Sequence, residues 1–86
     1  MLVPLHGFLQ GDTVGLLLLV HDTDSLEHVA RTLIDAAVVR VAPPARARLY
    51  SGGVELPLGA TVASAGLAPL ARVDLVPDEE RREEQP

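Results

Sequence analysis

Two apolar segments near the start of the chain are separated by turn residues. Residues 1–9 are mostly apolar, and residues 14–20 form a dense apolar run. Between them lies Gln10-Gly11-Asp12-Thr13, whose composition is typical of a turn. Apolar runs of this length fit strands better than helices. The pattern therefore predicts a β-hairpin over residues 1–20.

A helical pattern follows directly after the hairpin. Apolar residues recur at helical spacing at Leu26, Val29, Ala30, Leu33 and Ala37. Because Pro43-Pro44 cannot donate backbone N–H groups, the helix should span residue 25 to about residue 41. Two N-caps fit the sequence. One is Ser25, and the other is Asp24, which would place Glu27 at the capping-box position.

The second half of the chain returns to strand patterns. The sequence predicts two strands joined by a Gly-Gly turn, a small capped helical turn and a last strand, at residues 46–50, 54–56, 61–67 and 72–76. This order is the plan of a ubiquitin-like β-grasp. We therefore predict an α+β fold, with a mixed sheet of four or five strands packed on one α-helix.

The β-grasp plan places the first and last strands in parallel at the centre of the sheet. Residues 1–77 should form the ubiquitin-like domain. Residues 78–86 carry five acidic side chains, and we predict that they form an acidic disordered tail.

The strand patterns leave too many apolar side chains on the outer side of the sheet. If Leu18 and Val20 face the helix, Leu17 and Leu19 face outward. The first strand is also apolar on both faces, with outward side chains at Leu2, Pro4 and Phe8. A half-solvated antiparallel sheet should alternate apolar and polar residues. The pattern favours a partner protein covering this face, and the alternative is an apolar sheet that faces solvent.

Composition excludes several classes of function. The 86 residues suffice for one small domain, and their net charge of −5 argues against nucleic-acid binding. There is no cysteine, so there is no disulfide or thiolate site. The first residues lack a signal-peptide pattern, and no apolar run approaches the roughly 20 residues that span a bilayer. We predict a cytoplasmic protein with neither nucleic acid nor a membrane as partner.

One cluster has the side chains of a metal site but not the spacing. It comprises His21, Asp22, Asp24, Glu27 and His28. The spacing matches neither a calcium loop nor a Glu-x-x-His motif. Capping and the attraction of acidic groups to the helix N-terminus account for it. No serine has a base placed beside it by sequence, so we predict no catalytic, cofactor-binding or metal-binding residue.

Arginines near the helix end form a second candidate for partner binding. Arg40, Arg46 and Arg48 are close in sequence and fit either a basic patch for an acidic partner or ordinary solvated surface. Together with Leu17 and Leu19, they are the candidate interface residues. The only Gly-Gly pair is internal, at residues 52–53, which argues against a conjugated ubiquitin-like modifier.

Short motifs spread over most of the chain resemble one family in order and spacing. They are Pro4-Leu5-His6, Asp24-Ser25, Val29-Ala30, Arg40-Val41-Ala42-Pro43, Leu56-Pro57, Ala65-Gly66-Leu67-Ala68-Pro69 and Val73-Asp74-Leu75-Val76. The chain resembles the small, ubiquitin-like gamma subunit of bacterial toluene and o-xylene monooxygenase hydroxylases, often called system protein B. It departs from the family at Val39-Arg40, where paired arginines are usual, in its less basic third strand, and at Leu58, where an arginine is usual.

The resemblance implies a non-catalytic subunit of a multicomponent di-iron aromatic monooxygenase. Its partners would be the large hydroxylase subunits, and the di-iron centre would lie in one of those, so this chain would carry no cofactor. The alternatives are a free-standing ubiquitin-like adaptor, such as one linked to bacterial secretion, and, less favoured, a small enzyme or metal carrier.

Overall fold

The computed structural model describes residues 1–78 and contains one five-stranded mixed sheet packed on one α-helix. In chain order the elements are β1 (Leu2–Leu9), β2 (Leu16–His21), α1 (Leu26–Ala37), β3 (Ala47–Ser51), β4 (Val54–Leu56) and β5 (Ala71–Pro77). The strand order across the sheet is β2-β1-β5-β3-β4. The predicted α+β fold is confirmed. Of the predicted tail, only Asp78 lies within the described residues.

The central pair of strands is parallel, as predicted. β1 pairs with β5 in parallel, with Leu5 opposite Ala71 and Leu9 opposite Leu75. The remaining pairs, β1–β2, β3–β5 and β3–β4, are antiparallel. The long crossover from the first hairpin to β5 passes through α1, and this helix covers one face of the sheet.

The core lies between that face and the helix. Its helical side consists of the predicted residues Leu26, Val29, Ala30, Leu33 and Ala37. The sheet contributes the alternate, inward residues of each strand, among them Val3, Leu5, Leu18, Val20, Leu49, Val73 and Leu75. Within residues 1–78 every residue of the core is apolar, and the covered Asp12 side chain lies outside it, so aliphatic burial dominates the stability of the domain.

The structure shows which of the two candidate residues caps the N-terminus of the helix. Ser25 is the N-cap, and its hydroxyl accepts a hydrogen bond from the His28 backbone N–H at 3.1 Å. Asp24 instead accepts from the His21 N–H at 2.8 Å. The N–H groups of Leu26 and Glu27 donate to carbonyls in the loop after β4. The orphan donors of the first turn are therefore satisfied within the domain.

The helix ends earlier than predicted, at Ala37 rather than near residue 41. The Arg40 and Val41 N–H groups both donate to the Ala37 carbonyl, at 2.9 and 3.0 Å, so this carbonyl is shared by two donors at the helix end. The β-branched Val38 and Val39 are poor helix formers. The backbone before Pro43 also disfavours the helical conformation. The end is thus set by residues 38–41 as well as by the prolines.

The second strand begins at Leu16, two residues later than predicted. Gly15 lies against the ring of Phe8, because a Cβ built on Gly15 would sit 2.5 Å from the Phe8 Cε2 atom. The backbone at Gly15 therefore packs on the Phe8 ring immediately before β2 begins at Leu16. In the β3–β4 hairpin, Gly52 and Gly53 have φ angles of +61° and +82°, which a two-residue turn of type I′ requires.

Candidate docking surface

The outer face of the sheet carries a band of exposed apolar side chains on β1 and β2. Leu17 and Leu19 are 60% and 64% exposed, and Leu2 is 55% exposed. Pro4 lies opposite Leu19 in the β1–β2 ladder, and Leu2 lies opposite His21. Leu18 and Val20 are buried. The predicted orientation of β2 is therefore confirmed, and we call Leu2, Pro4, Leu17 and Leu19 the apolar stripe.

Leu70 extends the apolar stripe and was missed by sequence reasoning. It is 59% exposed, and its N–H donates to the Pro4 carbonyl at 2.6 Å. Its φ of +67° makes it the one non-glycine residue with a positive φ within residues 1–78. The Ala71 N–H donates to the Ala68 carbonyl, so Leu70 occupies the turn position that normally holds glycine. Pro69 indicated the turn, but nothing in the sequence indicated the strained leucine.

Phe8 and Arg72 border the apolar stripe toward the centre of the sheet. The Arg72 guanidinium carbon lies 4.0 Å from the centroid of the Phe8 ring, within cation–π range. The His6 ring meets Phe8 edge-on, with 6.5 Å between centroids. Arg72 also donates from Nε and Nη2 to the Asp74 carboxylate at 3.0–3.2 Å. These hydrogen bonds raise the pKa of Arg72 further, so its charge is fixed beside the stripe.

Arg40 is held by an ion pair with the β1–β2 turn. Its Nε and Nη2 donate to both carboxylate oxygens of Asp12 at 2.8–3.1 Å. The Asp12 side chain is only 2% exposed and that of Arg40 is 35% exposed. The hydrogen bonds from Arg40 lower the pKa of Asp12, and those to Asp12 raise the pKa of Arg40. Arg40 thus connects the helix end to the first turn, which the sequence did not predict.

Arg46 and Arg48 lie in a groove between α1 and β3, away from the apolar stripe. The groove has a volume of about 530 Å³, an apolar floor that includes Ile34 and Leu58, and a charged rim. The Asp78 carboxylate is 3.8 Å from the Arg48 guanidinium, and the Asp78 N–H donates to the Arg46 carbonyl at 2.9 Å. Arg40 does not line this groove. The structure brings Arg46 and Arg48 together and places Arg40 elsewhere.

The residues of the metal-like cluster have structural partners. The Asp22 carboxylate lies 3.2 Å from the amino terminus, Asp24 binds the His21 backbone, and His28 belongs to the capped turn. No group of three His, Cys, Asp or Glu residues within residues 1–78 is arranged to hold a metal ion. The serines are engaged too, since Ser51 donates to the Arg72 carbonyl and Ser64 bonds reciprocally with Thr61. In the described part of the chain no helix is long and apolar enough to cross a membrane.

Comparison with known proteins identifies relatives of the whole domain. The family model described as "Toluene-4-monooxygenase system protein B (TmoB)" matches residues 2–76. A chain from a structure of toluene 4-monooxygenase HD complex with the inhibitor 4-bromobenzoate is 26% identical, with a TM-score of 0.80 over 91% of this chain and 100% of that one.

More distant structures share the fold. The ubiquitin of Caldiarchaeum subterraneum is 20% identical, with a TM-score of 0.72 over 91% of this chain and 95% of that one. A chain from a structure on molecular mimicry of SUMO is also 20% identical, with a TM-score of 0.70 over 87% and 90% of the two chains. Both structures are ubiquitin-like, and the strand order of this chain is also that of a ubiquitin-like fold. No curated protein matches significantly.

Proposed function

This chain belongs to the toluene-4-monooxygenase system protein B family, and from that membership we propose that it is the non-catalytic gamma subunit of a di-iron aromatic monooxygenase hydroxylase. It docks on the large catalytic subunit. The match of the family model to residues 2–76 carries the proposal, since it spans nearly all the described residues. The relative from the toluene 4-monooxygenase complex, matched over its whole length, supports the same role.

The chemistry of the described residues agrees with a docking role rather than a catalytic one. Within residues 1–78 the donor set does not fit a di-iron site, because no three carboxylate or imidazole groups converge. In the proposed complex the di-iron centre therefore belongs to another subunit, and this chain contributes binding surface. Its location in the cytoplasm is part of the same proposal.

The apolar stripe is the surface that we propose for docking. Its three leucines are each more than half exposed, although they lie on adjacent strands of one sheet face. Removing one leucine side chain from water contributes roughly 1.5–3 kcal/mol. Covering the stripe thus supplies a large part of the affinity that a stable subunit contact needs.

The arginines are a second, separate contact surface in the proposal, because Arg46 and Arg48 lie in the groove between α1 and β3. Arg46 is exposed, and in this proposal its charge faces an acidic surface of the partner. Arg48 shares the groove with it, and Arg40 reaches the surface beside its partner Asp12. Such contacts steer association more than they add to affinity.

A pair of double variants tests the proposed function. Leu17→Glu/Leu19→Glu puts two charges on the apolar stripe. Val39→Glu/Val54→Glu puts two charges on side chains elsewhere that are at least as exposed. Both variants should melt close to the unmodified chain, because none of the four side chains is in the core. Only the stripe variant should lose co-elution with the large hydroxylase subunits.

The outcomes separate the possible errors. Unfolding of the isolated stripe variant would show that this face supports the core. Normal folding with normal assembly would show that another face docks. Failure of the unmodified chain itself to assemble with the large subunits would contradict the proposed function.

A further inference from the structure

The two edges of the sheet differ in their protection against strand pairing. The β4 edge is three residues long, carries Glu55 and is followed by Pro57. The β2 edge, Leu16–His21, is six residues long and contains no proline, lysine, arginine or carboxylate. Natural sheets normally shorten, charge or cover their edge strands. Within residues 1–78 the β2 edge has none of these features along its leucines.

The ladder between β1 and β2 shows which backbone groups point to the open edge. The Asp22 N–H donates to the Met1 carbonyl at 3.0 Å, which makes these two residues a hydrogen-bonded pair. Such pairs alternate along an antiparallel ladder, so Leu18 and Val20 point their backbone groups toward β1. Leu17 and Leu19 point theirs away. Pro4, which has no N–H, lies opposite Leu19 and fits this assignment.

The open part of the edge is confined to two residues. At its end, His21 is satisfied internally, since its N–H donates to the Asp24 carboxylate and its carbonyl accepts from the Asp24 N–H. The N–H and carbonyl groups of Leu17 and Leu19 have no such partner within residues 1–78. These are the same residues whose side chains form the centre of the apolar stripe.

Leu17 and Leu19 carry both exposed side chains and open backbone groups, and this restricts which kind of partner segment can cover the apolar stripe. A partner that covers the apolar stripe and also reaches over the β2 edge removes water from the four backbone groups of Leu17 and Leu19. A backbone group that is dehydrated and left unpaired opposes binding, because it loses its hydrogen bonds to water and gains none in return. A helix offers no backbone groups to pair with them, because its own are bonded internally. An extended strand offers a donor and an acceptor at every second residue, which matches the pattern of this edge.

We propose that an extended segment of a large hydroxylase subunit adds to β2 as a sixth strand. It hydrogen-bonds to the backbones of Leu17 and Leu19 and places apolar side chains at alternate positions against the apolar stripe. The proposal rests on the proposed function for the identity of the partner. It adds the mode of binding, which is backbone pairing at a sheet edge.

Backbone N-methylation tests the pairing without changing a side chain. The 86-residue chain is prepared by chemical ligation with a methyl group on the Leu19 backbone nitrogen. The matched control carries the methyl group on the Glu55 nitrogen. The two-residue turn makes Ser51 and Val54 a hydrogen-bonded pair, so the Glu55 N–H also points to an open edge. Both chains should melt like the unmodified one.

Affinity for the large subunits is then measured for all three chains. Methylation at Leu19 should weaken binding at least tenfold, as expected for the loss of a buried donor, and methylation at Glu55 should change it less than twofold. Equal affinity of all three chains would overturn strand addition while leaving the proposed function intact. A failure of the unmodified chain to bind would overturn both.

Amide hydrogen exchange on the unmodified chain gives an independent readout should methylation disturb the fold. The Leu17 and Leu19 amides should exchange rapidly in the isolated chain and become protected at least a hundredfold in the complex. Rapid exchange of both amides in the complex would overturn the proposal. Equal protection in the isolated chain at high concentration would identify a second copy of this chain as the strand partner, and would also overturn it.

Discussion

Leu70 holds a backbone conformation that leucine rarely adopts. With a φ of +67° its Cβ crowds the backbone, and the strain is retained by hydrogen bonds on both sides, from its own N–H to Pro4 and from Ala71 to Ala68. Strain of this kind persists where the surroundings fix it and often marks functional positions. Here it keeps an apolar side chain exposed beside the apolar stripe.

Replacing Leu70 by glycine should therefore stabilise the isolated domain. Leu70→Gly removes about 1 kcal/mol of strain, which corresponds to a rise in melting temperature of roughly 4–8 °C. Leu70→Ala keeps a Cβ at the same φ and serves as the control, with no gain expected. Thermal melting of both variants checks this. Equal melting temperatures for the glycine and alanine variants would contradict the strain argument.

The Asp12–Arg40 pair should make stability depend on pH in the acid range. The hydrogen bonds from Arg40 place the pKa of Asp12 in the folded chain below its ordinary value of 3.8. The unfolded chain therefore binds the proton first as the pH falls, and the pair stabilises the fold above that value and is lost below it.

Asp12→Asn should accordingly lower the urea midpoint at neutral pH, and the difference from the unmodified chain should shrink as the pH falls below 3.8. Asp35→Asn is the control, because Asp35 is exposed and makes no ion pair within residues 1–78. Urea titrations over a pH series measure the effect. A difference that stays constant into strong acid would show that the carboxylate charge is not its cause.

The secondary structure elements were predictable where periodicity and turn residues agreed. All five core positions of α1 follow from the helical spacing, and the β3–β4 hairpin follows from Gly52-Gly53. The element ends were less predictable, because individual side-chain contacts set them, and periodicity does not report such contacts. The β2 start coincides with the Phe8 ring lying against Gly15, a contact across the first turn that hydrophobic periodicity does not reveal. Similarly, the choice of Ser25 as cap depends on Asp24 bonding back to His21.

The contact between Gly15 and the Phe8 ring, just before β2, leads to a testable prediction. Gly15→Ala would force the Phe8 ring from its place and break its stacking with Arg72, at a cost of about 1–3 kcal/mol. Gly59→Ala is the matched control, since nothing lies within 4 Å of the added methyl group and its φ is not positive. Chemical denaturation of both variants provides the measurement. A Gly15→Ala variant as stable as the control would refute the close packing.

At the scale of the molecule, the sequence predicted which strands carry the excess apolar surface but not how the charges are arranged. Leu17 and Leu19 were predicted from alternation alone, and they are exposed. The sequence could not predict that Arg40 lies apart from Arg46 and Arg48, because Arg40 binds Asp12, which is 28 positions away in sequence. Arg72, which lies over Phe8, carried no recognisable signal. Whether these residues contact a partner stays a prediction.

The aliphatic core predicts a fold that does not need a metal ion. Incubation of the full chain with a chelator should leave its melting temperature unchanged, since hydrophobic burial holds the described domain together. Elemental analysis of the purified chain should find less than one iron or zinc per molecule. A lower melting temperature after chelation, restored by added metal and abolished by His28→Ala, would contradict this.

The central position of β1 has a consequence for how the chain is made. One side of β1 pairs with β2, but the other waits for β5, which is translated near the end of the described chain. At about 5–20 residues per second, the ribosome needs several seconds to supply it. A two-stranded hairpin is marginally stable by itself. The nascent chain thus carries an unfinished, leucine-rich hairpin until β5 is made, and we expect ribosome-associated chaperones to bind it.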